Sequence, residues 1–152
     1  MRVHLALRVA DLEKSIAYYS QVFGAAPSKR KPGYANWALD APPLKLTLLE
    51  RPDADERLDH VGVETFDDAD VDAATERLEA AGLATRIERG STCCYARQNK
   101  VWTADPQGLR WEFYRVLADA DAMLGDADAV VEKTPSATGA APVPVAGTAC
   151  CG

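Results

Sequence analysis

The chain of 152 residues contains only two histidines, His4 and His60, and each stands early in a short apolar stretch. Seven positions after each histidine comes an acidic residue, Asp11 or Asp67. A third candidate ligand, Glu112, lies within "LRWEFYRV". Two imidazoles and one carboxylate form the facial triad that binds a divalent metal and keeps positions open for dioxygen and substrate. The residue types therefore predict a metal site at His4, His60 and Glu112.

Alternation along predicted strands directs these three side chains to one face of a sheet. His4 alternates with the apolar residues of "RVHLALRV", and His60 alternates with the valines of "DHVGVE". Glu112 alternates with Trp111 and Phe113, which we expect on the face covered by helices. All three ligands are therefore predicted to point to the opposite, concave face.

A second carboxylate, Glu50, ends the predicted strand "PLKLTLLE" and is a candidate fourth ligand. Because it stands at the end of the strand, before the polar stretch "RPDADE", we expect Glu50 to be exposed instead.

The four cysteines form two adjacent pairs, Cys93-Cys94 and Cys150-Cys151. Random placement would give about 0.1 adjacent pair, so two pairs indicate a function in thiol chemistry. In a reducing cytosol such pairs are dithiols, not a disulfide framework. The alternative is that Cys93 and Cys94 are small buried hydrophobic residues.

The order of predicted elements repeats along the chain. A strand is followed by a helix that Asp11 caps and Gly24 ends, and the same pattern returns with Asp67 and Gly82. Further apolar segments after each helix predict strands. The sequence thus predicts an α+β fold of two βαβββ modules, about residues 1–52 and 57–117, that form a curved, mainly antiparallel sheet cup with its helices outside.

Composition indicates the character of the C-terminal segment and the classes of partner that are unfavourable. Residues 118–152 lack aromatic residues and predict a mobile tail that carries the second cysteine pair, with a short helical turn around residues 122–124. The net charge of −6 argues against nucleic acid as a partner. Apolar runs are too short to cross a bilayer, and no secretory signal is recognisable, so we expect a cytoplasmic protein. Hydrophobic patterning leaves open whether the chain forms a homodimer.

The segment "DPQGLRWEFY" resembles the closing motif of the vicinal oxygen chelate superfamily, which includes glyoxalases, bleomycin-resistance proteins and dioxygenases. In that motif a tight turn precedes a strand with a metal-binding glutamate, here Glu112. The segments "KRKPGYANWALDAPPLKLTLLE", "LDHVGVE" and "STCCYARQNKVWTADPQGLRWEFYRVLAD" are similar, more narrowly, to ArsI-type carbon–arsenic lyases and cadmium-induced proteins. The resemblance covers about residues 2–117 and implies the vicinal oxygen chelate fold. In some relatives, glutamine takes the place of His4.

The resemblance implies an Fe(II)-dependent, extradiol-type dioxygenase that uses dioxygen as co-substrate. It would cleave the carbon–arsenic bond of trivalent methyl or aromatic arsenicals, release arsenite and so detoxify the organoarsenical. Cys93 and Cys94 would bind the thiophilic arsenic. Cys150 and Cys151 would serve as an accessory capture site.

Two other functions stay open at this point. One is a soft-metal or toxin-binding protein of the cadmium-induced or bleomycin-resistance type. The other is a glyoxalase-like isomerase that uses nickel or zinc at the same ligands.

Overall fold

The computed structural model describes residues 1–134. The chain folds into two compact units, Arg2–Val61 and the residues from Gly62 onward, and one strand contributes residues to both. Neither described helix is long and apolar enough to cross a membrane. The elements in chain order are β1 Arg2–Val9, α1 Leu12–Phe23, β2 Lys29–Lys31, β3 Tyr34–Asp40, β4 Pro43–Glu50, β5 Leu58–Thr65, α2 Asp68–Ala80, β6 Thr85–Cys93, β7 Ala96–Ala104, β8 Arg110–Asp119 and β9 Ala129–Lys133.

This order confirms the two predicted βαβββ modules, β1-α1-β2-β3-β4 and β5-α2-β6-β7-β8. The strands are mostly antiparallel, as predicted. The short strand β2 was not located from sequence, because its residues are Lys29, Arg30 and Lys31 and carry no apolar alternation.

In the first unit the strands lie in the order β2-β3-β4-β1-β5, with β1 and β4 parallel. Helix α1 begins as predicted, because the side chain of Asp11 accepts the Lys14 N–H at 2.9 Å. It ends at Gly24, which has a φ of 63°. Glycine adopts this left-handed conformation without the steric cost that a Cβ would add. The helix packs on a buried cluster formed by Val9, Leu12, Ile16, Ala35, Trp37, Leu46 and Leu48.

In the second unit the order is β5-β8-β7-β6-β9. Helix α2 begins at the predicted cap, where Asp67 accepts the Ala69 N–H at 3.0 Å. Val71, Ala74, Leu78 and Val101 form the buried cluster under this helix, with Ile87 and Phe113 packed against it. Phe113 thus lies on the helix-covered face, as predicted. Trp111, near the start of β8, was expected on the same covered face, but 39% of it is exposed.

Strand β9 corrects the prediction of a mobile tail from residue 118. It pairs antiparallel with β6, with Val130 opposite Glu88 and Val131 opposite Ile87. The β-branched valines favour extended backbone, and β9 supplies hydrogen-bond partners along one side of β6. The helical turn expected at residues 122–124 is also wrong, because Leu124 forms a β-bridge with Cys93. The second cysteine pair, Cys150-Cys151, lies outside the described residues.

Candidate functional site

The two histidines meet on neighbouring strands of the first unit. His4 on β1 and His60 on β5 are 6% and 2% exposed. Their ring centroids lie 5.0 Å apart with the ring planes at 83°. The repeat of the two modules predicted equivalent positions for these residues, and the fold places the two imidazoles side by side in a buried environment.

Hydrogen bonds orient both rings. His60 Nδ1 lies 2.5 Å from Asp59 Oδ1, and the other oxygen of this carboxylate accepts from Arg8 Nε at 2.8 Å and Nη2 at 2.7 Å. Because an ionised carboxylate only accepts, Nδ1 of a neutral His60 carries the proton, and Nε2 is the nitrogen that can bind a metal. His4 Nε2 lies 3.2 Å from Thr47 Oγ1.

Sequence reasoning missed Asp59 and Arg8. The available signal was an acidic residue immediately before His60 in "LDHVGVE". A carboxylate beside a metal-binding histidine is a recurrent arrangement in proteins, but only the fold shows that Asp59 turns toward the ring and that Arg8 holds it there.

Glu112 is the corresponding buried acid of the second unit, on β8 and 3% exposed. Its Oε2 lies 3.5 Å from Nζ of Lys100, a residue that is itself only 1% exposed. The backbone of Gly62 on β5 passes so close that a Cβ there would lie 2.7 Å from Glu112 Cγ and 2.5 Å from its carbonyl oxygen. Glycine at position 62 therefore allows β5 to approach the glutamate, a reason that sequence reasoning did not identify.

His4 and His60 of the first unit and Glu112 of the second are the group of candidate metal ligands among the described residues, and all three are buried. Two neutral imidazoles and a carboxylate are suitable ligands for a divalent transition metal, and the Asp59–His60 bond adds the expected outer partner. The residues therefore fit such an ion. Glu50 is not in the group. It is half-buried instead of exposed, because its Oε1 accepts the Leu12 N–H at 3.1 Å at the start of α1.

The first cysteine pair occupies the hairpin between β6 and β7. Cys93 ends β6 opposite Ala96, and Cys94 is the first of two loop residues. The two Sγ atoms lie 3.3 Å apart, well beyond the roughly 2.05 Å of an S–S bond, so the neighbours are not bonded to each other. Cys93 is buried, as the alternative reading expected, but the thiols of the two residues still adjoin.

The hairpin and Glu112 lie beside different positions along one shared strand, β7. Cys93 is opposite Ala96 of β7, whereas Glu112 is opposite Trp102, six residues further along β7. Six residues of extended strand span about 20 Å. The structure therefore does not bring the thiols together with Glu112.

Residues 2–113, which include all three candidate ligands and the first cysteine pair, match the Glyoxalase/Bleomycin resistance protein/Dioxygenase superfamily. The chain belongs to this superfamily. A Mn(II)-bound glyoxalase from Novosphingobium aromaticivorans shares the fold, with a TM-score of 0.57, 23% identity, and coverage of 77% of this chain and 39% of that one. A methylmalonyl-CoA epimerase from Streptomyces coelicolor gives a TM-score of 0.53 at 17% identity, covering 78% of this chain and 99% of the other.

Relatives within the superfamily are far more similar in sequence. A protein of Thermomonospora curvata named trivalent organoarsenical cleaving enzyme is 52% identical over 151 residues, 99% of each chain. A protein of Mycobacterium bovis named cadmium-induced protein CadI is 55% identical over 120 residues, 79% of each chain. A second trivalent organoarsenical cleaving enzyme, from a Bacillus species, is 41% identical over 113 residues, 73% of this chain and 70% of that one.

Proposed function

We propose that this protein cleaves the carbon–arsenic bond of trivalent organoarsenicals in an Fe(II)- and dioxygen-dependent reaction and releases arsenite. The observation that carries the proposal is the pair of neighbouring sulfur atoms, 3.3 Å apart, in a chain that also buries two histidines and a glutamate. The name and 52% identity of the Thermomonospora curvata relative support the same substrate class.

The sulfur spacing suits one soft atom. Two thiolates that share an ion at about 2.3 Å, with an angle of about 90–110° between the bonds, lie about 3.3–3.8 Å apart. Cys93 and Cys94 are within that range. Each reduced thiol would replace one hydroxyl of R–As(OH)2 and release one water, so capture needs no change in the oxidation state of arsenic. Serine hydroxyls are hard and protonated at neutral pH and would not replace the thiols.

His4, His60 and Glu112 would hold the iron. Gly62, against which Glu112 packs, is two residues from His60 on β5, and residues two apart on a strand point to the same face. Bound iron(II) would supply one-electron redox chemistry and open coordination positions for dioxygen. Asp59 would keep the proton on Nδ1 of His60, and Lys100 would balance the charge of Glu112.

Capture and cleavage would take place at two positions. Along β7, about 20 Å separates Ala96, opposite Cys93, from Trp102, opposite Glu112. Gln98 and Lys100 lie between these two positions on the same face of β7, and both are buried. The bound arsenical would reach the metal ligands by a movement of the hairpin toward Glu112 or by transfer along this face.

Oxygen uptake tests the proposal. The protein is loaded with Fe(II) anaerobically, given a trivalent methylarsenical, and followed for oxygen consumption and arsenite release. We expect both signals to require Fe(II) and substrate. His60→Ala and Glu112→Ala should lose iron and activity with little change in circular dichroism, because the remaining ligands hold the ion weakly. Full iron occupancy and normal turnover in either variant would contradict the ligand assignment.

Cysteine variants test the thiols separately. Cys93→Ser and Cys94→Ser should keep iron and lose arsenical binding. If both variants turn over substrate normally, the pair is structural.

Sequestration of a soft metal or toxic compound is the second candidate, favoured by the 55% identity to the cadmium-induced protein. A sequestering protein would bind the arsenical or Cd(II) stoichiometrically without oxygen consumption, so the same assay separates the two functions. A glyoxalase-like isomerase would give no use to the adjacent thiols, which counts against it.

A further inference from the structure

The hairpin that carries the thiols has a backbone conformation that its own residues disfavour. Cys94 and Tyr95 are its two loop residues, and both are left-handed, with φ of 54° and 60°. Two-residue hairpin loops with positive φ at both positions strongly prefer Asn and Gly. Cys and Tyr carry a Cβ that crowds the backbone in this region. Contacts from elsewhere must therefore hold the loop.

This conformation is what brings the thiols together. Neighbouring residues on an extended strand point to opposite faces, so two adjacent cysteines on a strand are poorly placed to bind one atom. The left-handed backbone at Cys94 interrupts the alternation directly after Cys93, and the two Sγ atoms come to 3.3 Å.

The segment of residues 120–128, here named the clip, supplies the contacts that hold the loop. The Cys94 N–H donates to the Met123 carbonyl at 2.7 Å. The Ala120 N–H donates to the Tyr95 carbonyl at 3.0 Å. Both loop residues therefore have a backbone group bonded to the clip, although the clip follows β8 and is remote from the hairpin in sequence.

Further contacts fasten the clip to β6 and β7 beside the loop. The Gly125 N–H donates to the Thr92 carbonyl at 3.0 Å, and the Thr92 N–H donates to Asp126 at 3.3 Å. The side chain of Asp128 pairs with Arg97 of β7. Gly125 lies close to Thr92, since a Cβ at position 125 would lie 3.0 Å from Thr92 Cβ.

We propose that the clip is a positioning element for arsenical capture: it fixes Cys94 and Tyr95 in the left-handed conformation and so sets the spacing of the thiols. The proposal rests on the proposed function, in which Cys93 and Cys94 bind trivalent arsenic. Without the clip the loop relaxes, Cys94 turns away from Cys93, and chelation by two sulfurs weakens toward attachment by one.

Adding a methyl group at Gly125 and removing the side chain of Thr92, separately and together, tests the clip in the full chain. All variants carry Cys150→Ser and Cys151→Ser, so that only the hairpin thiols bind the probe, phenylarsine oxide. Gly125→Ala pushes the clip away from β6, and Thr92→Gly removes the atoms that the new methyl group would meet. Dissociation constants for phenylarsine oxide and for Co(II), and the melting temperature, are measured for each variant.

We expect Gly125→Ala to raise the dissociation constant for phenylarsine oxide at least tenfold and to change that for Co(II) less than twofold. Combining it with Thr92→Gly should return arsenical affinity to within threefold of Thr92→Gly alone, because the clip can approach β6 again. Asp128→Ala, which adds no atoms, should also raise the dissociation constant for phenylarsine oxide, but only by about threefold, since it loses only an exposed ion pair.

Unchanged arsenical affinity in both Gly125→Ala and Asp128→Ala would overturn the inference. An equal loss of Co(II) affinity, or no recovery in the combined variant, would also overturn it, because the effect would then be general loosening of the fold. If the parent binds phenylarsine oxide no better than its Cys93→Ser variant, the proposed function fails and the inference with it.

Discussion

The bond between Asp59 and His60 gives the sharpest prediction about the metal site. In Asp59→Asn, the amide NH2 can donate to Nδ1 of His60 and thereby favour the tautomer with its proton on Nε2, the nitrogen needed for the metal. Loss of such an outer partner lowers metal affinity by about 10–100-fold. This corresponds to about 1.4–2.7 kcal/mol of binding free energy. In this variant the amide oxygen still accepts from Arg8, but the bonds lose their charge assistance, so the free energy of unfolding should fall by about 1 kcal/mol.

Titration of the apoprotein with Co(II), against a chelator of known affinity, measures the first effect, and thermal unfolding of the apoprotein measures the second. Asp53→Asn, at an exposed position in the loop before β5, is the matched control and should change neither quantity. The reasoning is refuted if Asp59→Asn binds Co(II) as tightly as the parent. A loss of stability alone would show that Asp59 serves only as a partner of Arg8.

Three further outcomes are expected. Gly62→Ala should lower the free energy of unfolding by about 1–3 kcal/mol and weaken Co(II) binding, because its methyl group would overlap Glu112; an unchanged melting temperature would contradict this. The Lys14 N–H and ammonium hold the pKa of Asp11 below its ordinary 3.8, so the charged form stabilises the fold above that pH and the benefit disappears as pH falls through the lowered pKa. The stability gap between the parent and Asp11→Asn, measured by urea unfolding, should therefore shrink from pH 7 to pH 2, and a constant gap would argue against the cap charge. Replacing Cys150 and Cys151 by serine should raise the arsenical concentration for half-maximal turnover without lowering the maximal rate, if that pair captures arsenic; loss of the maximal rate would instead make it part of the site.

Short-range patterns in the sequence were sufficient for the helix starts and for most of the strands. Asp11 and Asp67 marked the helix starts, because a capping side chain bonds backbone groups two or three residues away. Alternation on β1 and β5 predicted the face of the strand to which His4 and His60 point, because residues two apart on a strand share a face wherever the strand is placed. Both kinds of signal act within a few residues, so they can be recognised without the fold.

The expectations that failed depended on segments far apart in the chain. The Glu50 carboxylate accepts the Leu12 N–H instead of being exposed, because β4 ends beside the start of α1. Strand β9 forms because β6 offers it backbone hydrogen-bond partners. No local sequence pattern in this alanine-rich stretch indicates a partner strand that lies more than 30 residues earlier.

By itself, the sequence determined which reactive groups the chain carries: two histidines, an acid in a strand, and adjacent thiols. Tertiary structure alone decided how these groups are presented. It turned Asp59 toward His60, placed Gly62 against Glu112, and bent Cys94 into a left-handed loop held by the clip. The physical reason is that residue types and periodicity are local properties, whereas tautomer, spacing and backbone strain are set by contacts between distant segments whose combined free energy outweighs local preference.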